Sequence, residues 1–163
     1  MENFKKDLDS RDYKILKELQ ADGRMKVVDL ARRVSLSASP CFSRLKHLEN
    51  TGVIKGYTAL LDIQKFTKPV VTFIKVTLAN HSRQHFEKFE QSVQRHSEIV
   101  SCHLMTGDFD YLLKIVTRDI DHFHNFMDVL CSKENDVSQH FTFITIKEVK
   151  ERSIIPIEHL LDT

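Results

Sequence analysis

A segment in the first third of the chain carries side chains suited to hydrogen bonding with base edges and to pairing with phosphates. It runs from Ser37 to Asn50, and its apolar residues Cys41, Leu45 and Leu48 recur at helical spacing. With those three facing inward, the opposite side of the helix carries Ser39, Pro40, Ser43, Lys46, His47 and Asn50, with Arg44 beside them. Serine hydroxyls donate and accept hydrogen bonds, and cationic side chains reach guanine or phosphate oxygens. The pattern predicts a helix that reads double-stranded DNA.

Further basic residues lie on either side of this segment. Arg24 and Lys26 precede the helix before it, Arg32 and Arg33 lie near that helix's end, and Lys55 follows the segment. Phosphate contacts from such residues set the register of a protein on DNA. The predicted DNA-binding residues are Arg24, Lys26, Arg33, Ser37, Ser39, Pro40, Ser43, Arg44, Lys46, His47 and Lys55.

Two features of this segment leave alternatives open. Phe42 is expected either to pack in the domain core or to touch a thymine methyl group. A solvated helix also presents serine, lysine and arginine outward, so exposure alone explains any one of these residues. Charge adds a modest argument: residues 1–60 hold 12 Lys and Arg against 8 Asp and Glu, a balance of +4, while residues 61–163 hold 12 against 15, a balance of −3. A basic front half suits a polyanionic partner.

Three short helices and an extended segment account for residues 1–61. Asp9 can cap the first helix, and Gly23 lies just past its end. The second helix has apolar residues at i, i+3, i+4 and i+7, namely Val27, Leu30, Ala31 and Val34. Residues 35–37 separate it from the third, and residues 53–61, rich in β-branched and aromatic side chains, form an extended wing. Two helices joined by a three-residue turn and followed by a wing predict a winged helix-turn-helix domain.

The second half predicts an α+β domain of the order β-α-β-β-α-β. After a linker at 62–69, the expected elements are strand 70–78, helix 83–95, strand 99–105, strand 110–117, a helix capped by Asp119, and strand 137–149. Strand 99–105 is expected to be half-buried, with Val100, Cys102 and Leu104 on one face. This order is the ferredoxin-like arrangement, so residues 70–163 are assigned to one domain.

The open face of such a sheet needs a cover, which predicts a sheet-to-sheet dimer. The candidates for this interface are Phe73, Val76, Phe141 and Phe143. The alternative is that they form the core of the single subunit.

The turn around Gly107 has side chains suited to binding a zwitterion. Asp108 and Asp110 offer carboxylates to an ammonium group, Tyr111 offers a hydroxyl and a ring, and Met105 an adaptable apolar contact. By residue types alone, a polar hairpin turn with Asp as turn former is the favoured explanation of the segment.

Three stretches of sequence together are similar to one family. They are Leu8–Leu61, with Ser39-Pro40-Cys41 and Gly56-Tyr57-Thr58-Ala59-Leu60-Leu61, then Thr106–Leu113, and finally Ile146–Lys150 with the tail from Ser153 to Leu161. They resemble the Lrp/AsnC family of feast/famine regulators over nearly the whole chain. Ser35 stands in the helix-turn-helix turn, where the family often has glycine, and serine adopts that turn at modest cost.

The resemblance implies a transcriptional regulator that senses a small effector, an amino acid, through its second domain. Dimers, and tetramers of dimers, are implied as well. The implied effector-binding residues are Met105, Gly107, Asp108, Phe109, Asp110 and Tyr111, with Thr142 entering from another subunit. Phe143 stands where the family usually has a small polar residue, and it predicts a pocket that is narrower, differently selective or closed.

Other classes of function find little support. His81 and His85 lie one helical turn apart, but no cysteine or carboxylate completes a tetrahedral metal set at a recognisable spacing. No nucleophile–base set and no cofactor motif stands out, so an enzyme is disfavoured. The three cysteines are expected to be reduced, and the absence of a long apolar stretch or signal peptide predicts a cytoplasmic protein. The remaining alternative is an amino-acid-binding module that regulates a protein partner without binding DNA.

Overall fold

A computed structural model describes residues 8–150 and 155–157, which divide into two compact units. The first comprises the described residues before Leu61 together with those after Val149, and the second is Leu61–Val149. Ser153 and Leu161 of the tail lie outside the described residues. Among the described residues, no helix combines the length and the apolar character that crossing a bilayer requires.

The first unit contains three helices: α1 (Ser10–Ala21), α2 (Val27–Arg33) and α3 (Ala38–Asn50). Asp9 caps α1 as predicted, because its carboxylate accepts from the backbone N–H groups of Arg11 and Asp12 while Asp12 accepts from the N–H of Asp9. The core is built from predicted apolar residues of the second and third helices together with Ile15 of α1; its buried members are Ile15, Leu30, Ala31, Val34, Cys41, Leu45 and Leu48.

The turn between α2 and α3 has Ser35 in the left-handed region, at a φ of 56°. This conformation costs a residue with a Cβ about 1 kcal/mol. Three hydrogen bonds hold Ser35 and Leu36 in the turn: Ser35 N–H donates to Arg32 O at 3.2 Å, Leu36 N–H donates to Ala31 O at 2.9 Å, and Arg11 Nη1 donates to Ser35 O at 3.1 Å. Serine therefore takes the conformation that glycine adopts more easily.

The wing, residues 53–61, forms no strand: it begins with a bend at residues 53–54 and continues without regular secondary structure. Its start is fixed to α3, because Ile54 N–H donates to Leu48 O at 3.0 Å. The predicted linker follows and contains a single 3₁₀ turn at Ile63–Lys65.

The second unit has the predicted β-α-β-β-α-β order: β1 (Val70–Leu78), α4 (Arg83–Val93), β2 (Ile99–Leu104), β3 (Tyr111–Thr117), α5 (Ile120–Leu130) and β4 (Val137–Ile144). The sheet order is β2-β3-β1-β4, and every pairing is antiparallel. Helices α4 and α5 cover one face, where Phe89, Val93, Phe123, Phe126 and Leu130 pack on inward residues of β1 and β3.

Two strand predictions were wrong in part. β4 ends at Ile144 and not at Val149, because its partner β1 begins at Val70; the last contact between them is from Thr145 N–H to Val71 O. Of the three β2 residues predicted to share the inward face, Val100 and Leu104 are exposed and Cys102 packs against the core, as does Ile99 at the start of the strand. A bulge between Ile99 and Ser101 displaces Val100 from the inward side, whereas Leu104 keeps the register of Cys102 but lies at the end of an edge strand.

Candidate DNA interface and ligand loop

The outer side of α3 is a continuous polar surface. Cys41, Leu45 and Leu48 are buried on the inner side, as predicted. The predicted readers Ser39, Pro40, Ser43, Lys46 and His47 are all exposed on the other side, together with Asn50. Ser37 forms the N-cap of the helix and is also exposed. The first two turns of α3 therefore present short hydrogen-bonding side chains to solvent, as a helix that enters a groove requires.

Phe42 lies on the flank of this surface and not in the core. It is 49% exposed, and Lys46 Nζ lies 5.7 Å from its ring centroid. Of the two alternatives left open by the sequence, the buried position is thus excluded.

Arg44 differs from the other predicted readers because its charge is already paired. Its Nη1 lies 2.7 Å from Asp9 Oδ2 and 2.8 Å from Asp12 Oδ1. These hydrogen bonds raise the pKa of Arg44, the one to Asp12 most. The guanidinium points toward the first turn of α1, so it fixes the orientation of α3 within the unit.

Glu49 connects α3 to the wing, a link that the sequence analysis did not identify. Its Oε2 accepts from Lys46 Nζ at 2.7 Å, and its Oε1 accepts from the Tyr57 hydroxyl at 3.0 Å. Hydrogen bonding with Lys46, and then with Tyr57, lowers the pKa of Glu49. Burial, followed by the Glu49 hydrogen bond, raises the pKa of Tyr57 to about 12. The spacing of three between Lys46 and Glu49 was the only signal in the sequence for this arrangement.

The flanking cations predicted to contact phosphates are exposed, but some are paired. Arg33 Nη1 donates to Glu18 Oε2 at 2.9 Å, and Arg32 Nη1 donates to Asp29 Oδ1 at 3.1 Å. Arg24, Lys26 and Lys55 are exposed near the start of α2 and in the wing. Exposed ion pairs contribute little stability, so a phosphate can displace these carboxylates at small cost.

In the second unit, the turn between β2 and β3 has two carboxylates in different situations. Asp110 is engaged: its Oδ2 accepts from Leu78 N–H at 2.8 Å and lies 3.0 Å from His81 Nε2. The side chain of Asp108 is 82% exposed. Gly107 between the strands has a φ of 135°, and a Cβ there would meet no atom within 4 Å, so the space above the turn is open.

Tyr111 does not line this open space, contrary to expectation. It is 1% exposed, its ring packs against Phe86 and Phe89, and its hydroxyl donates to Glu90 Oε1 at 2.9 Å. The reason is strand alternation, since Tyr111 begins β3 on the side that faces the helices. Phe109 and Met105 remain near the surface of the turn.

Lys75 is a residue near the turn that the sequence analysis missed. Its Nζ lies 3.6 Å from Asp108 Oδ2 and 4.6 Å from the centroid of the Phe109 ring. The sequence signal for this residue was a lysine at an outward-facing position of β1. Its pairing with Asp108 could be predicted only from the register of the turn against β1.

Thr142 and Phe143 lie on opposite faces of β4. Thr142 lines a groove of about 430 Å³ beside α5, together with Phe123, Met127 and His140. Phe143 is opposite Phe73 of β1 on the uncovered face. Within one subunit the structure does not bring Thr142 to the Gly107 turn, so its predicted role depends on a second copy.

Most of the residues predicted to cover the open sheet face do lie there. Phe73, Phe141 and Phe143 are exposed by 37%, 54% and 52%. Val76 was wrongly included, because it is fully buried against the helices, three positions from Phe73 and on the other side of β1.

The histidines considered for metal binding have other partners. His81 stacks on Phe86 and pairs with Asp110, while His85 Nδ1 lies 2.6 Å from Ser82 Oγ. Over the described ranges, no group of three or more potential ligand side chains is arranged to hold a metal ion.

Comparison with known proteins was consistent over both units. Residues 8–55 match the family described as winged helix-turn-helix DNA-binding, and residues 71–155 match the Lrp/AsnC ligand binding domain. The chain is 39% identical over 153 residues to the leucine-responsive regulatory protein of Escherichia coli (strain K12), covering 94% of this chain and 93% of that protein.

Two solved structures are similar along nearly their whole length. A transcriptional regulator from Neisseria meningitidis, solved as an L-Met complex, has 38% identity and a TM-score of 0.85, with 94% of this chain and 99% of that chain covered. An AsnC family transcriptional regulator from Agrobacterium tumefaciens has 32% identity and a TM-score of 0.86, with 94% and 100% covered.

Proposed function

Since the chain belongs to the Lrp/AsnC family and is a DNA-binding transcriptional regulator with an effector-sensing domain, we propose which of its residues bind DNA and which bind the effector. In the proposal, α3 reads an operator through Ser39, Ser43, Lys46 and His47. The Gly107 turn binds a free amino acid. The single observation that carries the first half is the exposed polar side of α3 opposite its buried Cys41, Leu45 and Leu48.

The readers divide into two chemical groups. Ser39 and Ser43 are short and exposed in the first half of α3, so their hydroxyls can approach base edges closely. Lys46 and His47 lie one turn later and supply donors to guanine or phosphate. Phe42, exposed beside them, provides an apolar contact for a thymine methyl group.

The phosphate contacts come from the flanking cations Arg24, Lys26, Arg33 and Lys55, with Ser37 at the N-cap of α3. Arg44 is assigned to positioning, because its guanidinium is held by Asp9 and Asp12. The hydrogen bond from the Tyr57 hydroxyl to Glu49 ties the wing to α3, and this contact keeps Lys55 beside α3.

For the effector, we propose an apolar amino acid. The Neisseria relative was solved with L-methionine, and the Escherichia coli relative is named for its response to leucine. In this chain the exposed carboxylate of Asp108 would pair with the ligand's ammonium group, and Met105 and Phe109 would supply apolar contacts. Asp110 holds the turn against β1 through Leu78 and His81.

The open sheet face supports a proposed dimer. Phe73, Phe141 and Phe143 form an apolar surface that a second copy would cover, and such surfaces mark interfaces in many proteins. Further assembly of dimers would place Thr142 of one subunit at the Gly107 turn of another.

A gel-shift experiment tests the DNA half, using the full chain and the DNA upstream of its own gene. Binding is expected at low ionic strength and should weaken steeply as salt rises, because phosphate contacts release counterions. Equal affinity for this DNA and for a scrambled duplex, with no dependence on salt, would contradict the proposed interface.

A further inference from the structure

Lys75 is a cation within an apolar row of the open sheet face. Its neighbours across the sheet are Phe141 of β4 and Leu112 of β3, and its own strand is central, so the residue is flanked on both sides. The side chain is only 34% exposed. A half-buried ammonium group among apolar side chains is unfavourable unless a counter-charge or a ligand compensates it.

The counter-charge of Lys75 is the carboxylate of Asp108, and the ion pair between them is long. Asp108 Oδ2 lies 3.6 Å from its Nζ, which is an ion pair but too long for a hydrogen bond. The ring of Phe109 lies 4.6 Å below the ammonium group and adds a cation–π attraction that holds the side chain over the turn. Asp108 and Lys75 thus stand side by side at the open space above Gly107, and each retains hydrogen-bonding capacity.

We infer that Lys75 binds the carboxylate of the amino-acid effector while Asp108 binds its ammonium group; this inference rests on the proposed function of the Gly107 turn. A free amino acid carries its two charges on one carbon, so the ligand matches an anion and a cation that lie next to each other. When the amino acid is bound in this way, its two charges and those of Lys75 and Asp108 alternate in sign. Lys75 and Asp108 each exchange their long ion pair for a charged hydrogen bond to the ligand. Lys75 is then the residue that distinguishes an amino acid from an amine of the same side chain.

Calorimetric titration of the full chain tests this assignment with two matched pairs of probes. These are L-methionine with 3-(methylthio)propylamine, and L-leucine with 3-methylbutylamine; each amine lacks only the carboxylate of its amino acid. The wild-type chain is expected to prefer at least one amino acid over its amine by about tenfold or more, as loss of a charged hydrogen-bond partner implies.

Three variants complete the test. Lys75→Met should lose about tenfold in affinity for the amino acid and bind both members of the pair equally. Lys75→Arg should retain the preference, because it keeps the positive charge. Lys88→Met removes the same charge from an exposed position of α4, outside the open sheet face, and should behave as wild type.

The outcomes separate the inference from the function it rests on. A Lys75→Met chain that keeps the wild-type preference, or a Lys88→Met chain that loses it equally, would overturn the role of Lys75 alone. If the wild-type chain bound neither L-methionine nor L-leucine, the proposed effector class would be overturned, and the inference with it.

Discussion

Arg44 Nη1 donates a hydrogen bond of 2.8 Å to Asp12 Oδ1, which joins the middle of α3 to the first turn of α1. The Asp12 side chain is only 7% exposed, so this ion pair is largely shielded from solvent on the α1 side. The same guanidinium nitrogen pairs with Asp9, the N-cap of α1. The helix that carries the proposed readers is therefore fixed by a charged contact with a helix 32 residues earlier in the chain.

The first prediction concerns this contact. Arg44→Ala should lower Tm by several degrees and weaken operator binding without changing which bases are preferred, because α3 loses its anchor. Asp12→Ala should act similarly. The double variant should lower the free energy of unfolding by less than the sum of the two single substitutions. Thermal unfolding and binding to a panel of single-base operator variants measure both effects. If Arg44→Ala relaxed the preference at one base position while Asp12→Ala did not, Arg44 would be a reader.

The second prediction concerns pH and the cap of α1. Backbone hydrogen bonds from Asp12 and Arg11, and the pairing with Arg44, hold the pKa of Asp9 below its usual value. Because the folded state favours the ionised form, this stabilisation is fully present above the unfolded-state pKa and is lost as pH falls through the folded value. The Tm difference between wild type and Asp9→Ala should be constant near neutral pH and shrink below about pH 4. A difference that stays unchanged down to pH 3 would exclude this origin.

The third prediction concerns the outer side of α3. The double variant Ser43→Ala with Lys46→Ala should bind the operator more weakly, and its salt dependence should fall by about one counterion per subunit. Glu49→Gln frees Lys46 from its 2.7 Å ion pair and should strengthen binding. Lys88→Ala, which removes an exposed charge from α4, serves as the control. Unchanged operator affinity in the double variant would remove α3 from the reading role.

The fourth prediction concerns assembly. Phe143→Asp places a carboxylate opposite Phe73 on the uncovered sheet face and should dissociate the proposed dimer. Val129→Asp changes an exposed apolar residue of α5, on the helix-covered side, and should leave the dimer intact. Sedimentation velocity distinguishes the two. A Phe143→Asp chain with the wild-type sedimentation coefficient would place the dimer interface elsewhere.

Local sequence predicted most of the fold because the elements carry their own signals. Asp119 was expected to cap a helix, and its carboxylate does accept from the His122 N–H at the start of α5. The strand 70–78 was predicted with the bounds it has, since all of its residues except Lys75 are β-branched or apolar. Such features depend on neighbours in sequence, which a single chain displays directly.

The errors depended on distant partners. The end of β4 is set by where β1 begins, and the inward side of β2 is set by a bulge. The role of Arg44 could not be predicted because Asp9 and Asp12 lie on another helix, and Lys75 was missed because its relation to Asp108 follows from the sheet register. In each case the missing information was a contact between residues far apart in the chain.

The final prediction joins the two domains through Asp108. If the Gly107 turn senses the effector, a ligand that binds there must change DNA affinity, and DNA must change ligand affinity by the same factor. Asp108→Ala should abolish this coupling, and Asp128→Ala, which removes an exposed carboxylate from α5, should preserve it.

The most direct measurement is fluorescence anisotropy of the labelled operator, titrated with the full chain in the presence and absence of L-methionine or L-leucine. For the wild type and for Asp128→Ala, one of these amino acids should shift the operator Kd about fivefold or more. For Asp108→Ala, the Kd should be the same with and without it. A full shift in the Asp108→Ala chain would contradict the account and place the effector site elsewhere.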